Sequence, residues 1–240
     1  MAAYWKKLWA LPCLQRAISF KWLLLHYALP VGCHLKGQVH DRHCVCCQLH
    51  EESLKHLFWT CIAVQQYWGR ILRLFSCKYR GAIFTWGAVF WGSLDAQVSM
   101  YEGEQCVEAL RVLENRIEAV LPNSPGGKYF KKSFVWNIVS INALWVWWKC
   151  RCSKKYEGIE YNVVDMIKMF WDNLVHTVKG EYDNIKGPAE RVHKKRRKIR
   201  QTWWPIPLWL EGTHENCWNY VPPRWLFPPP SPFLFQSYST

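Results

Sequence analysis

The sequence predicts a mainly helical fold, in which a helical N-terminal module is followed by a further helical segment and an irregular tail rich in Pro and Trp. Apolar residues recur at helical spacing along most of the chain, and clusters of Gly and Pro interrupt them. The Pro-rich end suits neither a helix nor a central strand. The module is expected in residues 1–76, the helical segment in 77–186 and a flexible tail in 187–240.

Two short helices are predicted in residues 1–30, because Pro12 interrupts the helical spacing and Pro30 ends it. The apolar stripes of these helices and of the next one carry large indole side chains. The indoles that we expect in the core are those of Trp5, Trp9, Trp22 and Trp68.

Further helices follow from the same periodicity. One long amphipathic helix is expected over residues 51–75, and others over residues 107–120, 131–152 and 163–178. Residues 77–101 contain three glycines among apolar triplets, a pattern that fits either short strands or a packed loop. The apolar run in the 131–152 helix is shorter than the about 20 residues that cross a bilayer. We therefore expect a buried or interfacial helix there and no transmembrane anchor.

Composition and charge restrict the class of protein. Half of the 240 residues are apolar, which excludes a wholly disordered chain, and 31 Lys and Arg against 18 Asp and Glu leave a formal net charge of +13. This surplus favours nucleic acid or an anionic membrane surface as partner and argues against a protein that binds cationic ligands. The 11 cysteines cannot all pair, and the N-terminal apolar run lacks the features of a secretory signal. We expect an intracellular, reducing location in which thiols bind metal.

A stretch rich in cysteine and histidine has the spacing of a metal site. Cys44 and Cys47 form a Cys-x2-Cys turn, and His56 and Cys61 provide a second pair. Three thiolates and one imidazole suit Zn²⁺, and a closed set of four protein ligands is typical of a structural ion. Two alternatives stay open at this point, since the cysteines could be small buried apolar side chains and a neighbouring donor could replace a ligand. The competing donors are Cys46, His43 and His50.

Aromatic anchors and ligands in the N-terminal third follow a recognisable order. They run as Trp5…Trp9…Phe20-x-Trp22…Leu29-Pro30-x-Gly32…Cys44-x2-Cys47…Glu52-Ser53-x2-His56-Leu57-Phe58-x2-Cys61-x-Ala63-x4-Trp68. This order resembles the zinc-binding domain that lies downstream of the polymerase in plant-type LINE (non-LTR) retrotransposons and in host genes derived from them. The segment from Leu144 to Arg151 is similar to the Trp-x-x-Trp-Lys-x-Arg run that often follows that domain. The resemblance implies a zinc-dependent accessory domain that binds nucleic acid.

The sequence lacks the motifs that a polymerase of this kind needs. No Asp-Asp pair is present to hold two catalytic metals, and no Walker loop, Gly-x-Ser-x-Gly or His-Glu-x-x-His motif occurs. We therefore expect no enzymatic activity and no small-molecule substrate. The pattern is typical of a truncated or domesticated retrotransposon element.

A basic run follows the helical segment. Its members are Arg191, Lys194, Lys195, Arg196, Arg197, Lys198 and Arg200, seven of the ten residues in 191–200. Phosphate contacts by these side chains predict binding to RNA or DNA with low sequence specificity that weakens as salt rises. The run also fits a nuclear localisation signal or a solvated segment without a partner. For the neighbouring Trp203 and Trp204, packing on the helical body is the more common role, and stacking on unpaired bases is the alternative.

Three hypotheses follow for the function. The leading one is a non-catalytic accessory module that binds zinc and nucleic acid inside the cell, with the nucleus as a candidate location. The competing one is a helical protein-interaction domain in which zinc only holds the fold and no nucleic acid is bound. A third is an amphipathic protein of membrane surfaces that uses the 131–152 helix and the basic run.

Overall fold

The computed structural model describes residues 2–34, 42–76, 89, 132–203, 206–210 and 217–223, and these are mainly helical, as predicted. Their α-helices are α1 (Ala2–Trp9), α2 (Gln15–Leu25), α3 (Ile62–Ser76), α4 (Lys132–Cys152), α5 (Val163–Asp183) and α6 (Ala189–Trp203). Shorter helical turns lie at Gly32–His34, His56–Thr60 and Ser153–Glu157. The described ranges contain no strand, and their isolated β-bridges join His43 to Glu51 and Trp209 to Trp218.

Two predictions concern residues that lie largely outside the described ranges. The helix expected at 107–120 lies outside the described residues, and so does the unassigned stretch 77–101 apart from Val89. The boundaries proposed for the module and the helical segment also stay predictions. The helices predicted near 131–152 and 163–178 are confirmed as α4 and α5.

The two N-terminal helices end before the prolines, as predicted. A connection through Pro12 separates α1 from α2, and Leu14 precedes α2 in an extended conformation with ψ of 132°. One face of α2 is buried and includes Lys21, whose Nζ donates to the Val89 carbonyl at 3.0 Å. Burial lowers the pKa of Lys21 to about 7.

The single long helix predicted over residues 51–75 is wrong, because the chain breaks at Cys61. A wide helical turn at His56–Thr60 ends there, and Cys61 is extended with φ of −63° and ψ of 130° before α3 begins. The break leaves carbonyls of the turn without helical partners. Indole N–H groups fill these positions: Trp68 donates to Phe58 and Trp147 donates to Leu57, each at 2.8 Å.

The expectation that four N-terminal tryptophans lie in the core is wrong for two of them. Trp68 is fully buried and Trp5 is half-buried, but Trp9 is 45% exposed and Trp22 is 38% exposed. The apolar stripes of α1 and α2 are wider than the faces that other helices cover. The residues of α1 and α2 that are buried instead are Leu8, Ala17, Ile18, Phe20, Lys21, Leu24 and Leu25.

Helix α4 is the central element, and it packs against α2 and α5. Its middle is buried on all sides, which confirms the buried helix that the sequence predicts. The polar side chains within it bond to its own carbonyls: Ser140 Oγ donates to Asn137 at 3.1 Å, and Asn142 Nδ2 donates to Ile138 at 2.9 Å. Among the described residues, no helix is both long enough and apolar enough to cross a bilayer.

The C-terminal part of the chain is more regular than the predicted tail, because its basic run forms the helix α6. Ile199 and Trp203 are buried on this helix, so the packing role expected for Trp203 is confirmed, while Trp204 lies outside the described residues. Later residues also pack on the body, since Trp171 on α5 donates its indole N–H to the Asn219 carbonyl at 2.8 Å. Helix α5 itself begins at an Asn162 cap, whose side chain accepts from the Asp165 N–H.

Candidate metal centre

A tight backbone turn presents the first two candidate ligands. The Gln48 N–H donates to the Cys44 carbonyl at 2.7 Å, and the Cys44 N–H donates to the His50 carbonyl at 2.8 Å. Gln48 itself adopts a left-handed conformation with φ of 58°, which closes the turn. The turn directs the side chains of Cys44 and Cys47 to the same side.

The helical turn at His56–Thr60 and the break after it position the other two candidate ligands, His56 and Cys61. The Ser53 hydroxyl caps the turn by accepting from the His56 N–H at 3.1 Å. The Cys61 N–H reaches back five residues to the His56 carbonyl at 2.8 Å, so both side chains come close together although the helix does not continue. The interruption that the sequence did not predict therefore serves the site.

The ligand atoms of Cys44, Cys47, His56 and Cys61 all lie within 4.8 Å of one another. The two sulfurs of Cys44 and Cys61 are 3.9 Å apart, and Cys47 Sγ is 3.2 Å from His56 Nε2. A tetrahedral Zn²⁺ with bonds of about 2.3 Å to sulfur places two sulfurs about 3.8 Å apart. The donor set therefore fits one tetrahedral zinc ion, with Nε2 as the ligand atom of the imidazole.

The surroundings of the cluster also suit a structural ion. Cys44 and Cys61 are fully buried, His56 is buried and Cys47 is half-buried, so the protein covers most of the site. The Thr60 hydroxyl lies 3.4 Å from His56 Nδ1, so it can accept from that nitrogen while Nε2 faces the ion. With four protein ligands converging, no coordination position is left open for a substrate.

Hydrogen bonding among the thiols shifts their pKa values in opposite directions. Bonds from the Cys46 and Cys61 thiols lower the pKa of Cys44. The same bonds raise the pKa of Cys46 and of Cys61. The thiolate is the form that binds Zn²⁺, so a bound ion would favour the ionised form of every ligand thiol.

The competing donors named from the sequence are not part of the converging group. His43 and His50 are exposed, and the His50 ring meets the His56 ring edge-on at 5.3 Å between centroids. Cys46 is half-buried and hydrogen-bonds to Cys44 without joining the four. The geometry favours the ligand set that the spacing predicts.

Replacing Cys46 by Ala is expected to leave zinc content at one ion per chain, since Cys46 is outside the ligand set. The matched change Cys47→Ala removes a ligand and is expected to reduce zinc content sharply. Native mass spectrometry of both variants measures this. Loss of zinc from the Cys46→Ala protein would show that the assignment within the turn is wrong.

A buried ion pair joins this region to α4, and sequence reasoning missed it. Arg151 Nε donates to Glu52 Oε2 at 3.1 Å, and a second guanidinium nitrogen contacts Glu52 Oε1 directly. Both side chains are about 1% exposed.

Gly32 lies beside this pair, and its N–H donates to the Glu52 carboxylate at 3.0 Å. A Cβ at Gly32 would stand 2.7 Å from the Arg42 carbonyl oxygen, which is too close for a side chain to fit without a shift. Glu52, Gly32 and Arg151 all belong to the motifs quoted above, which is the signal that could have paired them.

The structure separates the basic run into two groups. Arg196 and Arg200 are half-buried, and their guanidinium groups lie over the Tyr182 ring at 4.7 and 5.8 Å from its centroid. The other members are exposed, namely Arg191, Lys194, Lys195, Arg197 and Lys198. Two of the seven predicted phosphate contacts therefore face the protein instead of solvent.

Comparison with known proteins bears on the N-terminal region. The sequence model of a family described as zinc-binding in reverse transcriptase matches residues 1–68. The match covers all four converging ligands. No curated protein and no solved structure matches the chain.

Proposed function

We propose that this chain is a non-catalytic accessory module that binds RNA or DNA, in which a structural zinc ion holds the N-terminal region together. The exposed face of α6 is the single observation that carries the nucleic-acid assignment, because it presents a row of cations on a helix anchored to the body. The zinc assignment is supported by the convergence of four ligands inside a segment similar to a zinc-binding domain of reverse transcriptases. Cys44, Cys47, His56 and Cys61 would hold the ion.

The cations of α6 have the spacing of one helical face. The row begins at Arg191, and its other members follow Arg191 by three, four and seven positions, namely Lys194, Lys195 and Lys198. These spacings align all four on one side of the helix. With a rise of about 1.5 Å per residue, this row is about 10 Å long. It can contact several consecutive phosphates of a nucleic-acid strand, and each contact releases counterions.

The opposite face of α6 explains why the row stays in place. Ile199 and Trp203 are buried, and Arg196 and Arg200 lie over Tyr182 of α5. A docked helix presents its cations without the ordering cost that a flexible basic segment incurs on binding. This supports a binding surface over a solvated segment with no partner.

The origin of the chain belongs to the same proposal. The segment from Leu144 to Arg151 resembles the run that follows the zinc-binding domain in plant LINE-type proteins. In this structure it contacts the metal region, because Trp147 bonds to Leu57 and Arg151 bonds to Glu52. We infer descent from such an element and an intracellular, nuclear role for the basic run.

Neutralising two cations of the exposed row tests the proposal. We expect Lys194→Gln with Lys195→Gln to weaken binding to RNA or duplex DNA and to reduce the salt slope by about 0.7 to 0.9 per lost contact. Fluorescence anisotropy across a salt series from about 50 to 200 mM measures both quantities. The two changes leave the buried side of α6 intact.

A matched control removes the same charge elsewhere. Lys168 and Lys186 are exposed outside α6, and Lys168→Gln with Lys186→Gln gives the same net charge. Equal weakening by both pairs would indicate a diffuse charge effect. Absence of binding by the unaltered protein at about 50 mM salt would exclude the nucleic-acid proposal and favour the helical interaction domain.

A further inference from the structure

An aromatic surface on α1 and α2 has no role in the proposed zinc site or in the basic face of α6. We define it as Trp5, Trp9, Trp22, His26 and Tyr27. Trp9 is 45% exposed, Trp22 is 38% exposed and Tyr27 is 60% exposed. Large aromatic side chains at such exposure are candidates for a binding surface.

Ring contacts within the aromatic surface order part of it before any ligand arrives. The Trp5 and His26 rings stack with centroids 5.0 Å apart and an interplanar angle of 15°. The Trp22 ring also contacts His26, with centroids 4.3 Å apart and the ring planes tilted by 46°. Rings held by neighbouring rings lose little side-chain entropy when a flat ligand stacks on them.

The charged side chains that α1 and α2 themselves contribute beside the aromatic surface are cations. Residues 1–40 contain no Asp or Glu, while Lys6 and Arg16 are exposed on α1 and α2. Exposed rings beside cations complement a polymer of stacked bases and phosphates. This complementarity favours a single strand of nucleic acid over an ordinary apolar protein partner.

We propose that the aromatic surface stacks on unpaired bases of single-stranded nucleic acid, while Lys6 and Arg16 contact the phosphates beside them. This inference rests on the proposed function, which it extends from phosphate contacts to base contacts. Stacking on aromatic side chains tolerates any base, so the surface adds affinity for single strands without sequence preference.

The test compares two oligomers that differ only in their bases. One is a labelled thymidine oligomer of about 12 nucleotides, and the other is an abasic oligomer of the same length and charge. We expect the full chain to bind the thymidine oligomer at least about tenfold more tightly. Trp9→Ala with Trp22→Ala is expected to remove this advantage while leaving abasic binding unchanged.

Two further double variants test whether the advantage for the thymidine oligomer depends on the aromatic rings. Trp9→Phe with Trp22→Phe keeps aromatic rings and is expected to retain most of the advantage. Leu49→Ala with Ile159→Ala removes apolar side chains that are 70% and 46% exposed elsewhere, and is expected to change nothing. Circular dichroism of each variant checks that the helices are intact.

The outcomes separate this inference from the proposed function. Equal binding of both oligomers by the unaltered chain, or an advantage that survives in the double Ala variant, would overturn the stacking role and leave the aromatic surface to a protein partner. Failure of the unaltered chain to bind either oligomer at about 50 mM salt would instead remove the nucleic-acid function itself.

Discussion

Changing His56→Ala together with Cys61→Ala is expected to unfold the metal region, approximately residues 42–61, and to abolish zinc uptake. Two of four ligands are lost, and the remaining Cys44 and Cys47 cannot hold a tetrahedral ion alone. Binding of a structural zinc ion supplies folding free energy on the order of 10 kcal/mol. The backbone here has few other supports, because turns and one short helical segment hold it instead of long helices.

Three measurements check this expectation. Native mass spectrometry gives the zinc content, hydrogen exchange gives the opening of the region, and a chelator applied to the unaltered chain should reproduce the same opening. The matched control is His43→Ala with Cys46→Ala, which removes the same two residue types from the same stretch but outside the ligand set. If the control loses zinc equally, or if the unaltered chain holds none, the metal assignment fails.

Replacing Arg151 by Ala is the second change with a large expected effect. The Glu52 carboxylate would remain buried with the Gly32 N–H as a direct donor and with Lys155 at 4.0 Å. Breaking a buried ion pair by removing one partner costs about 3–5 kcal/mol, because the remaining charge has lost its compensation. The loss also removes the bond from Arg151 to the Pro30 carbonyl at 3.2 Å. Urea denaturation followed by tryptophan fluorescence measures the change in the free energy of unfolding.

Two further variants show whether the lost stability comes from breaking the buried ion pair. Lys154→Ala breaks a neighbouring pair in which Glu160 is mostly exposed, and its expected cost is below about 1 kcal/mol. Arg151→Met with Glu52→Leu removes both charges, and we expect it to recover much of the lost stability. A cost for Arg151→Ala as small as that for Lys154→Ala would show that the pair does not hold α4 to the metal region.

The helices were predictable where apolar residues have a helical period and proline marks the ends. Helices α1, α2, α4 and α5 have this period, and Pro12 and Pro30 also mark the ends of α1 and α2. The break at Cys61 was hidden, because apolar spacing continues across it and the bonds from Trp68 and Trp147 that satisfy the freed carbonyls come from elsewhere in the fold. Helix α6 was also hidden, since Ile199 and Trp203 give it too weak an apolar stripe beside so many cations.

The convergence of the four candidate ligands was predictable because zinc chemistry restricts both residue type and spacing. The pair of Glu52 and Arg151 was missed although both residues belong to the quoted motifs, because they lie 99 positions apart and the packing of α4 brings them together. The exposure of Trp9 and Trp22 was missed for a related reason. Periodicity shows which side chains share a face, but it does not show how much of that face another helix covers.

The position of α4 has a consequence for dissecting this chain into expressible fragments. A fragment that stops after α3 would contain every candidate zinc ligand. It would lack Trp147, which donates to the Leu57 carbonyl, and Arg151, which pairs with the Glu52 carboxylate. Boundaries drawn from ligand spacing would thus cut through the folding unit. The smallest piece that keeps these internal bonds extends through Arg151.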